Sequence, residues 1–400
     1  MYTAFKTIMM VYRSKNVLFA LLLLFAIPAP TQPCHTDSEC SLAGSCSTNG
    51  TCICDGWTHG EYCEILNLLP ANSQRYGYQN SSAYNSWGGA SIEHNNKWYL
   101  FASQMAGQCP LLGWWSLVSQ VVRGEAHHPM GPFENISVVV PSFAHNAKPF
   151  RSPQDGMWLI YYIGQENGET HRCQQHRQTN APPQDDPGGK TAGPIMVAAA
   201  DRPDAPAEEW VHYGPLTDSY DFHSATNPSP LLFQNGTVLL AVSRKFLSGG
   251  KRTVLMTSNS WKGPFRNITT TSTAAGSLAT GEDPDLFQTP RGFHMLNHNT
   301  GPSSTRLWYS TDGVSDWQET SSLAKNAFNG TVTFDNGTVI QVCQRQRPQI
   351  VLHPEDGMPG WFWSGVMLPI DGFCPRNDLH PARNPTFTLV QAIGRSQKRL

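Results

Sequence analysis

Charged residues are scarce in this sequence and make up only 14% of its 400 positions. The formal net charge is −2, so no excess of positive charge points to nucleic acid or an anionic membrane as a partner. The sequence lacks a phosphate-binding glycine loop and an HExxH motif, which argues against nucleotide chemistry and zinc proteolysis. Glycine (34) and proline (30) are abundant, and aromatic residues reach 10%. This composition favours a loop-rich, all-β protein.

Long apolar runs are also missing, with one exception near the N-terminus. The run VLFALLLLFAI occupies residues 17 to 27 and follows Lys6, Arg13 and Lys15. It is too short to span a bilayer comfortably, but its length and the small residues IPA at 27 to 29 are typical of a signal peptide. We therefore predict a signal peptide over residues 1–29 and a secreted protein. An uncleaved signal anchor in the membrane is the alternative.

Glycosylation and cysteine patterns agree with secretion. Seven N-x-S/T sequons occur, and we expect some of them to carry glycans; they lie at Asn49, Asn80, Asn135, Asn235, Asn267, Asn329 and Asn336. The ten cysteines are an even number, as expected of disulfides formed in an oxidising compartment. No cysteine has the histidine context of a catalytic thiol.

Six cysteines crowd a short segment near the front of the chain: Cys34, Cys40, Cys46, Cys52, Cys54 and Cys63. Such a segment cannot bury enough apolar surface to fold alone, so we expect disulfides to hold it. Six cysteines allow fifteen pairings, and the spacing by itself does not choose among them. A zinc site is the alternative interpretation of the cluster.

The spacing of these cysteines, with Gly60 before the last of them, resembles that of an EGF-like module over residues 30–66. The resemblance implies the pairs Cys34–Cys46, Cys40–Cys52 and Cys54–Cys63. Calcium-binding members carry acidic residues before the first cysteine, and TQPC at 31 to 34 has none, so we predict no calcium there. The module would serve as a spacer or as a surface for protein contacts.

A hairpin pattern repeats five times after residue 70: a polar start, a short strand, a turn and an apolar strand. The turns carry asparagine or glycine, as hairpins with positive φ require, and fall at positions 96, 156, 236, 292 and 337. Two copies are followed by GPF-x-N-I-[ST], at 131–137 and 263–269. We predict a five-bladed β-propeller over residues 75–396, with an irregular β-sandwich as the alternative.

The innermost strand of each propeller blade starts near the central channel, so the polar starts of the hairpins should converge there. These starts supply candidate ligand-binding residues on four blades, and the end of the last hairpin supplies two more: Trp87, His145, Asn146, Asn227, Glu282 and Asp283 at the starts, and Arg345 and Arg347 at that end. His294 and His298 lie four positions apart on one predicted strand and would share a face, so both are further candidates. Each histidine could equally be buried in the core, and Asn146 and Asn227 could equally cap loops.

WGG near 87, C-x5-W at 109–115, HN at 145, EDP at 282 and RP at 347 together resemble the five-bladed propellers of the arabinanase, levansucrase and invertase superfamily of glycoside hydrolases. The resemblance covers about residues 80 to 395 and points to a little-characterised eukaryotic branch. It implies a glycan as ligand or substrate and three site carboxylates: a base or nucleophile, a residue that tunes pKa, and a general acid in an E-x-P motif.

Glu282, two residues before Pro284, matches the general acid of that pattern. The other two acids are replaced, because their positions fall on Asn227 and about Gly88. Asp283 or Asp221 would have to substitute for them. Glycosidase chemistry needs two carboxyl groups across the scissile bond, so the sequence leaves two functions open: a glycoside hydrolase and a non-catalytic carbohydrate-binding or adhesion protein.

No cofactor is predicted, although the propeller channel leaves room for a structural calcium ion. YSTDGVSDW at 309–317 resembles the Asp-box of sialidases with its glycine one position early, which makes a sialidase-like propeller a minor alternative. The last four cysteines should pair as Cys343–Cys374 and Cys109–Cys173.

Overall fold

The computed structural model describes residues 6–14, 17–25, 33–78, 85–164, 194–217, 225–245, 251–269, 279–298, 305–320, 326–374 and 385–395. Within them, β1 (Lys6–Ser14) and β2 (Val17–Phe25) pair as an antiparallel hairpin. The predicted signal peptide covers this segment and stays a prediction. No helix in the described ranges has the length and apolar character of a membrane span.

The cysteine-rich segment is a small disulfide-bonded unit. It contains a 3₁₀ turn at Asp37–Cys40 and two short hairpins, formed by β3 (Gly44–Cys46) with β4 (Cys52–Cys54) and by β5 (Thr58–His59) with β6 (Ile65–Leu66). The three predicted disulfides, Cys34–Cys46, Cys40–Cys52 and Cys54–Cys63, are present. A zinc site is thereby excluded, because these sulfurs are bonded to one another.

Five four-stranded antiparallel blades follow, as predicted. A short strand, β7 (Gly77–Tyr78), precedes them. The first blade contains β8 (Ser86–His94), β9 (Lys97–Met105), β10 (Ser119–Ala126) and β11 (Glu134–Val140). A 3₁₀ turn at Ala106–Gln108 and one helical turn, α1 (Trp115–Val118), interrupt it. The second blade contains β12 (Ala144–Arg151), β13 (Trp158–Gly164), β14 (Ile195–Ala200) and, after a 3₁₀ turn at Ala207–Glu209, β15 (Val211–Tyr213).

The third blade contains β16 (Ala225–Leu232), β17 (Val238–Lys245), β18 (Lys251–Ser258) and β19 (Arg266–Asn267), with β20 (Ala279–Thr280) added beside β18. The fourth contains β21 (Glu282–Thr289), β22 (Gly292–His298), β23 (Thr305–Ser310) and β24 (Gln318–Glu319). The middle residues of the second strands are mostly apolar and buried, because each blade packs between two others.

The fifth blade corrects one prediction. The predicted hairpin with its turn at position 337, which spans residues 328–348, was expected to begin this blade. Their strands β25 (Thr331–Thr333) and β26 (Val339–Gln341) instead form a separate, largely exposed two-stranded sheet. The fifth blade begins at β27 (Gln344–Leu352) and continues with β28 (Pro359–Met367) and β29 (Thr386–Ala392). Its tryptophans and valines provide the apolar surface that the exposed hairpin lacks.

The ring closes through both ends of the propeller chain. Strand β7 pairs with β29 and supplies the outer strand of the fifth blade. Cys343–Cys374 joins the start of β27 to the loop after β28, as predicted. Cys109 is also disulfide-bonded, and its predicted partner Cys173 lies outside the described residues.

The cysteine-rich segment packs on the fourth and fifth blades and so differs from a free spacer. Trp57 is buried in one cluster with Phe287 and Phe362. At the β21–β22 turn, the Arg291 guanidinium makes two contacts to Asp55, at 2.7 and 3.0 Å, and a third to Asp37 at 3.1 Å. Apolar burial and a charged clamp therefore hold this segment on the propeller.

Candidate functional site

The five innermost strands share one backbone irregularity, which builds the candidate site. Each has a register shift against its neighbour strand near its start. At that point one residue adopts positive φ, between 54° and 60°: Gly88, Asn146, Asn227, Asp283 or Arg347. Glycine, asparagine and aspartate tolerate this conformation, and arginine does so at some cost. We call these five residues the channel ring.

Asp283 is the centre of the polar contacts within the ring. Its carboxylate accepts hydrogen bonds from the amide of Asn227, from His298 Nε2 at 2.7 Å and from the backbone N–H of Arg347 at 3.1 Å. The Arg347 guanidinium lies 3.5 Å away, and the backbone N–H of Asp283 donates to Ser243 Oγ at 2.9 Å. Several donors and one guanidinium therefore converge on this carboxylate and fix its position in the ring.

Arg347 reaches across the ring in front of the first blade. A Cβ atom added at Gly88 would lie only 3.1 Å from Arg347 Cβ, and Arg347 Nη2 donates to the backbone carbonyl of Asn146 at 3.3 Å. Asn146 Nδ2 in turn donates to Asn227 Oδ1 at 2.7 Å. Burial lowers the pKa of Arg347, and the Asp283 charge opposes this. A buried cation therefore lies over Gly88, where the family resemblance places a carboxylate.

A second ion pair fills the channel beneath the ring. Lys148 Nζ contacts Asp285 and donates to Ser229 Oγ at 2.7 Å, and the Ile350 backbone N–H donates to Asp285 at 2.7 Å. Burial raises the pKa of Asp285 and lowers that of Lys148, and the mutual attraction of the two groups opposes both shifts. Calcium needs several oxygen ligands with compensating charge. Since Lys148 and Arg347 already neutralise the two channel carboxylates, this donor set does not fit a calcium ion.

Glu282 is the most accessible of the three neighbouring acids. Its side chain is 23% exposed, whereas that of Asp283 is 5% exposed and that of Asp285 is fully buried. His298 Nε2 lies 3.9 Å from Glu282 Oε1 and 2.7 Å from Asp283 Oδ2. Glu282 is therefore the carboxyl group of this cluster that a ligand at the channel mouth can reach.

An aromatic and imidazole pair lies at the start of the second blade. The half-buried Trp115 ring packs 4.8 Å from the His145 ring, tilted by 33°. Ser119 Oγ hydrogen-bonds His145 Nδ1 at 2.8 Å. Burial first, and then the positive charge of Arg347, lowers the pKa of His145 to about 3. The imidazole is therefore neutral at physiological pH and can donate or accept a hydrogen bond.

Three predicted site residues lie apart from this cluster. Trp87 is buried with Trp114 in the first-blade core. His294 stacks on Phe287 and meets the edge of Trp57 in the cysteine-rich segment, and burial lowers its pKa to about 3. His294 and His298 share a strand but lie near its opposite ends, so they do not line the channel together.

Arg345 is the third predicted site residue that lies apart from the channel ring. It is buried over the Phe362 ring and donates to Ser364, the Asn329 carbonyl and Gln391. Burial lowers its pKa to about 9. Arg345 thus connects the fifth blade to neighbouring segments, and Arg347 is the arginine that belongs to the channel ring.

The carboxylates at the described starts of the innermost strands come from the fourth blade alone. The corresponding pairs on the other blades are Trp87–Gly88, His145–Asn146, Thr226–Asn227 and Gln346–Arg347. Asp221, the other predicted substitute, lies outside the described residues. Within those residues, the site has one accessible acid with a neutral imidazole and amides around it.

Sequence reasoning missed Lys148, Asp285 and Ser243, which support the ring from below and from the side. Asp285 was visible as the third acid of the EDPD stretch, two positions after the ring residue. Lys148 holds the matching position on the second blade. Lys148 and Asp285 each stand two positions after a ring residue, Asn146 and Asp283, and aligning the strand starts in the sequence would have identified both.

The remaining sequence features are peripheral. The six sequon asparagines in the described ranges are all exposed, as glycan acceptors must be: Asn49, Asn135, Asn235, Asn267, Asn329 and Asn336. Asn80 lies outside those ranges.

The Asp-box-like stretch is a turn in which the Asp312 carboxylate accepts hydrogen bonds from the backbone N–H groups of Val314 and Ser315, and the pKa of Asp312 falls to about 2. Within the described residues, the one cysteine group close enough to hold a metal is disulfide-bonded.

No protein-family model matches the sequence, and no curated protein matches it. Several solved structures are similar in fold. A family 117 glycoside hydrolase from the marine bacterium Zobellia galactanivorans has a TM-score of 0.53 at 14% identity, over 85% of this chain and 91% of that chain.

Two further structures are similar to the same extent. The catalytic domain of a Coprinopsis cinerea GH62 α-L-arabinofuranosidase has a TM-score of 0.54 at 10% identity, over 85% of this chain and 97% of that chain. An α-L-arabinofuranosidase from Lactobacillus brevis has a TM-score of 0.50 at 12% identity, over 80% of this chain and 94% of that chain. At these identities the comparisons show that the chain has the five-bladed propeller fold of glycoside hydrolases.

Proposed function

We propose that this protein binds a glycan at the channel mouth, the end of the channel where the innermost strands begin. The observation that carries the proposal is the convergence of Glu282, Asp283, His145, Asn146 and Arg347 from three blades on one place. Such a site offers an accessible acceptor, a neutral imidazole and an indole face at Trp115. Sugars are recognised by hydrogen bonds to hydroxyl groups and by aromatic contact with the ring face.

Hydrolysis of that glycan is the second candidate function, and the similarity in fold to glycoside hydrolases favours it. Glu282 would be the general acid. A partner carboxylate would have to lie about 5–5.5 Å away for retention or about 6.5–9.5 Å away for inversion. Asp283 is engaged by Arg347 and His298, which makes it a poor base. Binding is therefore the function that the described geometry supports best.

We further propose that the protein is secreted and glycosylated, and that residues 30–66 are an EGF-like module. The three disulfides and the exposed sequons support this. The module contacts the fourth blade at the β21–β22 turn, the end of that hairpin opposite Glu282, and would offer its outer surface to a protein partner.

The test is to screen the purified full-length protein against plant, algal and fungal polysaccharides for both binding and released product. We expect binding that Glu282→Gln weakens, while the exposed Glu208→Gln control has no effect. Release of product that Glu282→Gln abolishes would establish the hydrolase. Failure of every polysaccharide to bind would refute the proposed function.

A further inference from the structure

A cleft separates the end of the cysteine-rich segment from the exposed β25–β26 hairpin. Residues 65–70 form one wall, and residues 326–333 form the other. The cleft has a volume of about 650 Å³, which lies within the range of sites that hold a small molecule. We call it the hairpin cleft. None of the channel-ring residues lines it, so it is distinct from the proposed site at the channel mouth.

Backbone hydrogen bonds join the two walls at both ends of the hairpin cleft. The Leu66 N–H donates to the Ala327 carbonyl at 2.8 Å, and the Ala71 N–H donates to the Thr333 carbonyl at 2.8 Å. Between these two points the Leu69 N–H donates to the fifth blade instead. The walls therefore part in the middle and meet again at each end.

A chain of side-chain hydrogen bonds also connects the walls. Arg345 Nη1 donates to the Asn329 carbonyl at 3.1 Å, and Nη2 of the same guanidinium donates to Gln391. Gln391 Nε2 in turn donates to the Leu69 carbonyl at 2.8 Å. Arg345 and Gln391 are both buried. The cleft is therefore preformed, and a group that enters it has little additional chain to order.

Apolar surface is left uncovered on the first wall. Leu69 is 42% exposed, Pro70 is exposed, and Ile65 and Leu68 are half-buried. The second wall offers polar groups, because Asn329 and other exposed residues line it. Such a surface suits a sugar, since a pyranose ring has an apolar face of C–H bonds and a rim of hydroxyl groups.

Asn329 identifies the occupant, because this sequon asparagine itself lines the hairpin cleft. Its Oδ1 accepts a hydrogen bond from the backbone N–H of Thr331 at 2.9 Å. Its Nδ2, the atom to which a glycan is attached, donates no hydrogen bond within the residues that the structure describes. The side chain is exposed. A glycan on this atom would therefore begin at the cleft.

Asn336, the second sequon asparagine of the same hairpin, differs in its surroundings. It is also exposed, and its Oδ1 accepts a hydrogen bond from the Thr338 N–H at 3.0 Å, so both asparagines share a local geometry. It lies outside the cleft lining, and a Cβ atom added at the adjacent Gly337 would meet nothing within 4 Å. A glycan on Asn336 would therefore extend into open solvent.

From these observations we infer that the first N-acetylglucosamine of a glycan on Asn329 occupies the hairpin cleft and holds the β25–β26 hairpin against the cysteine-rich segment. The inference rests on the proposed secretion and glycosylation of the protein. The ring face and the acetyl methyl group cover the apolar wall, and the hydroxyl groups stay hydrated. This glycan is a structural part of the fold, unlike the one on Asn336.

Enzymatic release of the glycans from the native protein tests where each one lies. The full-length protein is produced in a eukaryotic secretory host, treated with peptide N-glycosidase, and analysed by mass spectrometry of the glycosylated peptides. We expect the Asn329 glycan to be released about tenfold or more slowly than the Asn336 glycan, because release requires the cleft to open. After denaturation the two rates should be equal.

Variants test whether the Asn329 glycan holds the hairpin. In Asn329→Gln, amide hydrogen exchange at residues 65–71 and 327–333 should become about tenfold faster, because apolar surface loses its cover. Asn336→Gln is the matched control and should leave this exchange unchanged. Thr331→Ala also removes the sequon, but it breaks the bond from Thr331 Oγ1 to Gln341. Gln341→Ala breaks the same bond while keeping the glycan, so it should not reproduce the effect.

Three results would overturn the inference while leaving the proposed glycosylation intact. These are an unoccupied Asn329 beside other occupied sequons, equal release of the Asn329 and Asn336 glycans from the native protein, and unchanged exchange in Asn329→Gln. Equal acceleration in Gln341→Ala and Thr331→Ala would also overturn it, because the lost side-chain bond would then be the cause. If no sequon of the protein carries a glycan, the proposed secretion and glycosylation themselves fail.

Discussion

Replacing Asp283 by asparagine removes one charge from the channel ring and little else. Asparagine tolerates the φ of 57° at this position as readily as aspartate does, so the backbone cost is nearly unchanged. What changes is the electrostatic environment of Arg347, whose side chain is 3% exposed. Removing one partner of a buried ion pair leaves the other charge uncompensated and costs about 3–5 kcal/mol.

The expected loss of stability of about 3–5 kcal/mol corresponds to a lower melting temperature. Unfolding entropy of about 2.1 cal/mol/K per residue, over about 300 propeller residues, gives about 0.6 kcal/mol/K. Asp283→Asn should therefore lower Tm by about 5–8 °C in calorimetry at neutral pH. The neighbouring Glu282→Gln, whose side chain is 23% exposed, should lower it by no more than about 2 °C.

A double variant separates this explanation from a general packing defect. Asp283→Asn/Arg347→Gln no longer contains an uncompensated buried cation, so it should be more stable than the sum of the two single effects predicts. If Asp283→Asn melts within about 2 °C of the wild type, or if the two effects simply add, the ring is not held together by this ion pair.

Two further predictions concern regions outside the ring. Arg291→Ala should weaken docking of the cysteine-rich segment by about 1–3 kcal/mol, because Asp55 and Asp37 lose their partner. Amide hydrogen exchange in residues 33–66 should then accelerate. Unchanged exchange would show that apolar packing alone holds this segment on the propeller. Burial holds the pKa of His294 at about 3, while an unfolded histidine titrates near 6.5. The contribution of His294 to the free energy of unfolding is therefore complete above about pH 6.5. Below that pH it falls by about 1.4 kcal/mol per pH unit. His294→Asn should therefore flatten the acid side of the stability curve and the exposed His127→Asn should not; equal curves for all three proteins would refute this.

The propeller could be predicted because each blade has a buried apolar second strand and a turn with asparagine or glycine. The error in the fifth blade has a local cause. The NG turn at 336–337 is a stronger hairpin signal than the EDGMP stretch at 355–359, yet the exposed strands β25 and β26 have too little apolar surface to fill a blade. Burial, rather than turn chemistry, decided which hairpin joined the ring.

The site was predicted in part. The starts of the innermost strands do converge, as expected, but the E-x-P resemblance drew attention to Glu282, whereas the ring residue is Asp283. Three ring residues, Asn227, Asp283 and Arg347, stand directly before proline, where local preferences favour extended backbone. Their positive φ comes from the bulges of the assembled sheet, so no local sequence rule indicates it.

The position of Arg347 depends on closure of the whole ring. Its side chain crosses Gly88 and reaches the Asn146 carbonyl, and these residues lie about 260 and about 200 positions away in the sequence. The sequence shows only that an arginine precedes Pro348 and that a glycine occupies the first-blade position. The Arg347 side chain fills the space that Gly88 leaves, and this follows only from the arrangement of the five blades around the channel.

The central claim is that a glycan binds at the channel mouth. The most direct measurement is a structure of the full-length protein with the oligosaccharide that binds most tightly in the ligand screen. We predict a sugar within hydrogen-bonding distance of the Glu282 carboxylate, about 2.6–3.2 Å. A sugar bound only on the cysteine-rich segment or on the outer strands of the blades would contradict the account.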